Sequence, residues 1–198
     1  MKKYILQELH ITQDLVNQII QNDHIVTSIA NIVTISVTAL KKGNKILFMG
    51  NGGSAADAQH LSAELVSRFS FDRPGLAAIA LTTDTSALTA IGNDYGYEKL
   101  FSRQIEALGR SGDILFGLST SGKSANVLNG LKKAKEMHIV TVGFTGESSE
   151  YMAPCCTHIL SIPSNCTPKI QEAHITIGHI ICGLIEKEMF LPQRESTS

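Results

Sequence analysis

The sequence predicts an α/β protein in which two N-terminal helices precede a doubly wound, five-stranded parallel sheet. From Lys45 onward, apolar runs of strand length alternate with helical segments. The runs are continuous and rich in β-branched residues, which is typical of strands buried on both faces. Two of them end in turns rich in glycine and serine. In such sheets the ligand site lies beyond the carboxyl ends of the strands, where the strand order reverses.

Residues 4–42 have the periodicity of helices rather than strands. Asn22 and Asp23 can interrupt this region and cap a second helix, and Gly43 can end it. Four apolar residues of the second helix recur at steps of four, four and three, which places them on one face: Ile29, Val33, Val37 and Leu40.

Five segments are predicted as strands: 46–49, 76–81, 114–118, 139–144 and 159–162. A length of 198 residues suits one domain with a sizeable core. We therefore expect residues 1–198 to form a single domain, with 1–43 as its helical extension and 192–198 as a loose tail.

The composition is that of an ordinary soluble globular protein, with 43% hydrophobic residues, 18% charged residues and a net charge of −1. This charge gives no indication of a nucleic-acid partner. The apolar segment 175–185 has 11 residues, against the roughly 20 that span a bilayer, so it predicts a buried helix or a subunit contact. No apolar signal-peptide core follows Lys3, and the four cysteines form no paired framework. We expect a cytoplasmic protein with reduced thiols and no membrane contact.

The first glycine-rich turn, residues 50–55, connects strand 46–49 to a helix that begins near Ser54. Its glycines let the backbone approach a ligand, and the free N–H groups at the helix start favour an anion. The turn also fits the dinucleotide pattern G-x-G-x-x-A. That pattern requires an acidic residue at the end of the next strand, but Asp72 precedes this strand and Asp84 is too distant. An anion site, a dinucleotide site and a purely structural turn remain as alternatives.

The second turn, residues 119–124, follows strand 114–118 and, with Gly117, fits the Walker A pattern G-x-x-x-x-G-K-S. An NTPase also needs an Asp at the end of a second strand to support Mg²⁺. The following strands end in Phe144-Thr145-Gly146 and Ile162-Pro163-Ser164. Hydroxyls and amides at a helix start suit a phosphate monoester, which we favour over a nucleotide or a structural capping loop.

His60 and Glu64 are four residues apart on the helix after the glycine turn, so both lie on one face. Such a pair can bind a divalent metal or transfer protons, although a solvated ion pair is the commoner case. In the last helix, His179 lies in an apolar run and is either a satisfied core histidine or a site residue. Gln171 is about 12 Å before it along an ideal helix, and His174 has a weaker claim to a site role.

Four segments together resemble the phosphoheptose isomerases of the sugar isomerase (SIS) domain family, whose fold is flavodoxin-like. They are residues 50–64, 91–96, 119–127 and 170–179. The resemblance runs in order from the N-terminal helices to Met189. Thr167-Pro168-Lys169 departs from it, because many members carry an acidic residue shortly before the glutamine.

This resemblance implies conversion of sedoheptulose 7-phosphate to D-glycero-D-manno-heptose 7-phosphate, the first step toward the heptose of the lipopolysaccharide core. It also implies a homotetramer with sites at subunit contacts and one Zn²⁺ per subunit. The implied metal ligands are His60, Glu64, Gln171 and His179. Glu64 and His179 are implied to transfer protons. The implied substrate contacts are Asn51, Gly52, Gly53, Glu64, Asn93, Asp94, Ser119, Thr120, Ser121, Ser124 and Gln171.

A ketose–aldose isomerase moves a proton from C1 and delivers another to C2 through an ene-diol. We assign Glu64 as the base and His179 as the acid, or the reverse. The alternative from another class is a non-catalytic relative that binds the bacterial replication initiator. That branch shares both loops and an ending like residues 190–193, but lacks the glutamate and histidine found here at positions 64 and 179.

Overall fold

The computed structural model describes residues 1–191, in which two helices lead into a five-stranded sheet. The predicted tail, residues 192–198, lies outside the described residues. The helices are α1 (Lys2–Ile20), α2 (Asp23–Lys41), α3 (Gly53–Val66), α4 (Thr85–Tyr95), α5 (Leu100–Leu108), α6 (Ala125–Glu136) and α7 (Thr167–Phe190). The strands are β1 (Ile46–Gly50), β2 (Ala78–Ala80), β3 (Ile114–Ser119), β4 (Val140–Thr145) and β5 (His158–Ser161).

The strand order is β2-β1-β3-β4-β5, and all neighbouring strands are parallel. This confirms the predicted doubly wound sheet, and all five predicted strands form. The order reverses between β1 and β3, so the carboxyl ends at Gly50 and Ser119 flank the place where a ligand binds in such sheets.

The edge strand β2 is shorter than its predicted span of residues 76–81. The backbone N–H of Leu76 donates to the carbonyl oxygen of Leu65, 3.0 Å away, at the end of α3. Because this amide completes a helix terminus, it does not join the ladder with β1, and the strand begins at Ala78. The beginning of the predicted run 76–81 therefore binds the end of α3, and the strand β2 forms from its later residues.

The second helix begins as the sequence predicts. The side chain of Asn22 accepts a hydrogen bond from the N–H of Ile25 at 3.2 Å, which satisfies one free donor of the first turn. The four residues of the predicted apolar face are all buried. Within the described residues, α2 is the one helix that is long and apolar enough to cross a membrane, and burial of this face in the core accounts for that character.

The two faces of the sheet bury separate cores because successive strand residues point to opposite sides. Ile46 and Phe48 of β1 join a core formed with α2, α3 and α7, whereas Leu47 and Met49 join a core formed with α5 and α6. Helices α3 and α7 therefore lie on the same face of the sheet.

Candidate active site

The first loop connects β1 to α3 through Asn51 and Gly52. Gly52 caps α3 with φ at +56°, in the left-handed region that favours glycine. The N–H groups of Ala55 and Ala56 donate to the carbonyl oxygen of Gly52, which leaves those of Gly53 and Ser54 at the start of α3 to face an anion. A cavity of about 100 Å³ lies beside this loop, with Asn51, Thr82 and Tyr97 among its lining residues.

The second loop follows β3 and brings two hydroxyls together. The Oγ atoms of Ser119 and Ser124 are 3.0 Å apart, and Ser124 caps α6 without a side-chain hydrogen bond to that helix. The turn closes through Gly122, whose N–H donates to the carbonyl oxygen of Ser119 at 3.0 Å. Thr120 is half-buried and Ser121 is exposed, so both border the same turn.

The lysine of the Walker-like pattern points toward residues outside the loop. Lys123 Nζ lies 3.8 Å from a carboxylate oxygen of Glu150 and 5.1 Å from the ring centroid of Tyr151. In a P-loop this lysine reaches the β- and γ-phosphates of the nucleotide. Strands β4 and β5 end in Thr145 and Ser161, so neither offers an Asp for Mg²⁺. The geometry therefore favours a simple phosphate group over a nucleotide.

A network of amides connects the two loops. Asn51 Nδ2 donates to Asn126 Oδ1 at 2.8 Å, and Asn126 Nδ2 donates to Asn51 Oδ1 at 2.9 Å. The Tyr97 hydroxyl also donates to Asn51 Oδ1, at 2.9 Å, and the N–H of Val127 donates to Asn126 Oδ1 at 2.9 Å. Because each amide oxygen accepts two hydrogen bonds, the glycine loop and the hydroxyl loop are held in one fixed relationship.

Three side chains that the sequence singled out converge on the groove between α3 and α7. His60 Nε2 lies 2.9 Å from His179 Nε2 and 3.0 Å from Glu64 Oε1. One ligand atom from each residue lies within 4.8 Å of the others. His60 is exposed, whereas Glu64 and His179 are half-buried, so the cluster opens to solvent on one side.

The cluster forms because α3 and α7 run side by side in the same direction. Gly53 lies against Gln171 near the start of both helices, and Leu61 lies against Gly178 two turns later. A Cβ at Gly178 would lie 2.6 Å from Leu61 Cδ2, and Leu61 is fully buried. The absence of a side chain at position 178 lets the helices approach closely enough for His179 to meet His60.

The chemistry of this cluster fits a divalent metal ion. Two imidazole nitrogens and a carboxylate oxygen are donors that Zn²⁺ commonly takes. Each neutral imidazole carries one N–H and one lone pair, so His60 Nε2 cannot donate fully to Glu64 and to His179 at once. A cation shared by the three atoms would satisfy all of them.

The fourth implied ligand, Gln171, lies apart from the other three within one chain. Its side-chain amide packs on Gly53, where an added Cβ would lie 2.5 Å from Gln171 Nε2. His179 follows it by about 12 Å along α7. The structure thus places Gln171 beside the glycine loop.

Asn93 and Asp94 lie in the last turn of α4, and both are exposed. Asn93 Nδ2 donates to Asp94 Oδ1 at 2.7 Å. In the described chain, none of the α4 residues is buried. Its apolar residues Leu88 and Ile91 are half-buried and pack against the core formed with α5 and α6, whereas Asn93 and Asp94 face solvent.

His174 is a core histidine. It is fully buried against Phe144, and its Nε2 donates to the carbonyl oxygen of Thr145 at 3.2 Å. Burial lowers the pKa of His174 to about 4, although the hydrogen bond to Thr145 partly opposes this. The side chain is therefore neutral near pH 7. Its buried position is consistent with the weaker claim to a site role that its place in the sequence indicated.

Lys169 connects α7 to α1. Its Nζ donates to Thr12 Oγ1 at 2.8 Å and to Glu172 at 3.2 Å, and it lies 3.4 Å from Glu8 Oε2. The residue therefore anchors the first helix. Its side chain is 9% exposed, so Lys169 contributes to the packing of α7 on α1.

Sequence reasoning assigned no role to Asn126 or Tyr97. Asn126 lies in a segment that carries the resemblance, and its place in the first turn of α6 was the available indication. Tyr97 lies in a short 3₁₀ helix, Tyr97–Lys99, which no periodic pattern indicated.

The chain is similar to known proteins in both sequence and fold. A family model described as SIS domain matches residues 9–146. The chain is 56% identical over 173 residues to phosphoheptose isomerase 2 of Campylobacter jejuni, covering 87% of this chain and 86% of that protein. It is 51% identical over 187 residues to the phosphoheptose isomerase of Burkholderia pseudomallei, covering 94% and 95%. The solved structure of phosphoheptose isomerase GmhA from Neisseria gonorrhoeae superposes with a TM-score of 0.88 at 39% identity, over 94% of this chain and 98% of that one.

Proposed function

Because this chain belongs to the SIS domain family, as one of its phosphoheptose isomerases, we propose that it converts sedoheptulose 7-phosphate into D-glycero-D-manno-heptose 7-phosphate. The observation that carries the proposal is the convergence of Glu64, His60 and His179 on the helix groove that begins at the glycine loop. A base, an acid and a phosphate cradle are the parts that such an isomerisation needs.

In the proposed binding mode, the second loop holds the phosphate and the first loop holds the sugar chain. Ser119, Thr120, Ser121 and Ser124 offer hydroxyls at the start of α6, where the helix dipole favours an anion. Asn51, Gly52 and Gly53 line the sugar next to them, with Gln171 against Gly53. The hydrogen bonds between Asn51 and Asn126 support this mode because they fix the distance between the two loops.

In the proposed reaction, Glu64 takes the proton from C1 while O2 is protonated, which forms the ene-diol. His179 then delivers a proton to C2 while O1 loses its proton, which leaves the carbonyl at C1. Two groups from different helices can act on neighbouring carbons because their side chains converge within 4.8 Å. Amide donors of the first loop orient the sugar oxygens. Placement of the reacting carbons beside both groups is the main contribution of the chain.

We propose that His60, Glu64 and His179 hold one Zn²⁺ per subunit. When bound, zinc supplies positive charge that polarises the carbonyl and hydroxyl oxygens of the sugar. A carboxylate that holds a cation would be a weaker base, so the proposed role of Glu64 as the base would compete with its role as a ligand. Gln171 lies against Gly53 in its own chain, so its proposed place in the ligand set requires Gln171 of the partner subunit.

We further propose a homotetramer whose sites lie at subunit contacts, with Asn93 and Asp94 contributing to the sugar site. The exposed helix α4 and the apolar side chains that α1 leaves exposed, Ile5 and Leu9 among them, support this assembly. The proposed location is the cytoplasm, and the proposed destination of the product is the lipopolysaccharide core.

The non-catalytic adaptor has no support from the relatives, which are named as isomerases. An adaptor would not need the groups at positions 64 and 179.

The decisive experiment is incubation with sedoheptulose 7-phosphate in heavy water, followed by NMR. We expect the aldose to form with deuterium at C2, because both proposed groups exchange protons with solvent. Absence of the aldose at any enzyme concentration would remove the enzymatic proposal. Aldose formed without deuterium would instead contradict proton delivery by His179 through an exchangeable group.

A further inference from the structure

The turn that follows α3 is folded around the guanidinium group of Arg73. Arg73 Nη2 donates to the carbonyl oxygen of Glu64 at 2.9 Å, and Nη1 donates to that of Leu65 at 2.6 Å. Nη1 also donates to the carbonyl oxygens of Ser67 and Pro74, at 2.7 and 3.1 Å. One planar group thus binds two carbonyls in the last turn of the helix that carries Glu64, and one of them, that of Leu65, also accepts from the N–H of Leu76.

A carboxylate from α7 completes the arrangement. Glu186 Oε1 accepts from Arg73 Nε at 3.0 Å and from the N–H of Phe69 at 2.8 Å, and Oε2 accepts from the N–H of Ser70 at 2.7 Å. The two side chains are 2% and 0% exposed. Burial opposes a charge on Glu186, but these hydrogen bonds and Arg73 hold its pKa below the ordinary value.

The same contacts place an aromatic ring beside His179. Glu186 follows His179 by seven residues, two turns along the same face of α7. It holds the backbone of Phe69, whose ring centroid lies 5.8 Å from that of His179. The ring packs on Gly183, where an added Cβ would lie 3.0 Å from Phe69 Cε1. Phe69 therefore lies against the imidazole on the side toward the end of α7.

We propose that Arg73, Glu186 and Phe69 form a clasp that positions Glu64 and His179 relative to each other, and that they are positioning residues for metal binding and proton transfer. The proposal rests on the proposed function. A buried ion pair contributes little net stability over an apolar replacement, because both charges lose their hydration. Here the pair joins the end of α3 to α7 next to the cluster, and this placement points to a geometric role.

The test uses three variants that alter the clasp and leave His60, Glu64 and His179 themselves unchanged. Arg73→Lys keeps the charge but loses the planar fork that reaches four carbonyls. Glu186→Gln keeps the shape but loses the charge, and Phe69→Leu keeps the ion pair and removes the ring. For each variant we would titrate the full-length protein with Co²⁺, following its visible absorption, and measure kcat and KM for sedoheptulose 7-phosphate.

We expect Arg73→Lys and Glu186→Gln to weaken Co²⁺ binding and to lower kcat by about tenfold to a hundredfold, the range seen when a supporting residue of a metal site is removed. KM should change little, because the phosphate loop lies on β3 and α6. Phe69→Leu should produce a smaller loss of the same kind. A spectrum that differs from that of the parent would report altered ligand geometry, which a loss of stability alone does not produce.

Asp113→Asn is the matched control. Asp113 is buried, accepts from the N–H groups of Lys45 and Arg110 at 3.0 and 2.8 Å and pairs with the Lys45 ammonium group. It lies where β3 begins, at the opposite end of the sheet from the site. This variant should lower the melting temperature while leaving Co²⁺ affinity and kcat unchanged.

Parent-like Co²⁺ affinity and kcat in the folded variants would overturn the proposal, as would equal losses in Asp113→Asn. If Arg73→Lys and Glu186→Gln do not fold, the Co²⁺ affinity and kcat of Phe69→Leu alone test the proposal. If the parent binds no Co²⁺, the metal assignment fails, and the proposal about the clasp is then judged by whether the variants lower kcat. If the parent binds Co²⁺ but does not convert the sugar, the proposed reaction fails, and the proposal about the clasp is then judged by whether the variants bind Co²⁺ more weakly. A parent that does neither overturns both proposals.

Discussion

The Nε2 atoms of His60 and His179 face each other at 2.9 Å across the groove between two parallel helices. The residues are 119 positions apart in the sequence and meet because Gly178 lets α7 approach Leu61. Two imidazoles can share this distance only if one donates and the other accepts, or if a cation lies between their lone pairs. The same groove contains the carboxylate of Glu64, so three possible metal ligands lie within 4.8 Å of one another there.

Replacement of Glu64 by Gln should lower turnover by at least about a hundredfold, the usual scale for the loss of a general base. The amide keeps the size of the side chain, so the melting temperature should remain close to that of the parent. Steady-state kinetics and calorimetry measure the two effects. Glu136→Gln, which alters an exposed i, i+3 pair with Lys133 on α6, is the control and should behave like the parent. A near-native rate in Glu64→Gln would mean that another group is the base.

Removal of His60 should separate metal binding from proton transfer. We expect His60→Ala to lose Zn²⁺ on dialysis, because only two donors of the cluster remain, and to lose activity with it. Metal content can be measured by mass spectrometry before and after dialysis against a chelator. His10→Ala, in the exposed part of α1, is the control. Full zinc retention in His60→Ala would show that the metal binds elsewhere.

The hydroxyl loop should control affinity for the phosphorylated sugar. We expect Ser124→Ala to raise KM about tenfold or more, since a hydrogen bond to a charged group contributes about 1.5 to 3 kcal/mol. The effect on kcat should be smaller, because Ser124 lies away from the proton-transfer cluster. Ser102→Ala removes a hydroxyl that donates to the carbonyl oxygen of Lys99, just before α5, and should leave KM unchanged. An unaltered KM in Ser124→Ala would contradict the assignment of the phosphate to this loop.

The buried imidazole of His174 should make the stability of the protein depend on pH. Its folded pKa of about 4 lies below the ordinary value of 6.5. Between these values the unfolded chain binds the proton and the folded chain does not. The contribution is fully present above pH 6.5 and is lost as the pH falls toward 4, by about 3 kcal/mol over that interval. Urea unfolding across this pH range measures the slope.

His174→Gln should be less stable than the parent at pH 7, because the imidazole packs on Phe144 and its removal leaves a gap. Its unfolding free energy should nevertheless fall less steeply between pH 6.5 and 4. Equal slopes in the two proteins would assign the pH dependence to other groups.

Gly178→Ala should push α7 away from α3, because the new methyl group would collide with Leu61. We expect weaker metal binding, a lower kcat and a lower melting temperature. The double variant Gly178→Ala with Leu61→Ala creates room for the methyl group, so it should recover part of the metal affinity. If the single variant binds metal like its parent, the close helix approach does not determine the cluster.

Elements with local patterns could be predicted from the sequence. Asn22 before a helical period marked the start of α2, and the continuous apolar runs marked all five strands. His60 and Glu64 could be paired because four residues make one helical turn. These features depend on chain segments shorter than about ten residues.

Features formed between distant segments could not be predicted in the same way. No local spacing indicates that Arg73 binds Glu186, 113 residues away, or that Tyr97 donates to Asn51. These contacts depend on how α7 and the 3₁₀ helix pack after the sheet has formed. The need for glycine at position 178 likewise cannot be predicted locally, because it depends on the contact of α7 with Leu61 of α3.

The shared direction of α3 and α7 has an electrostatic consequence. Both helices, and α6 with them, begin at the edge of the sheet where the two loops lie, so three positive termini face the same space. Attraction for a doubly negative ester at this edge therefore comes partly from the main chain, in a protein with a net charge of −1. Acetylation of its lysines would leave that part of the field intact.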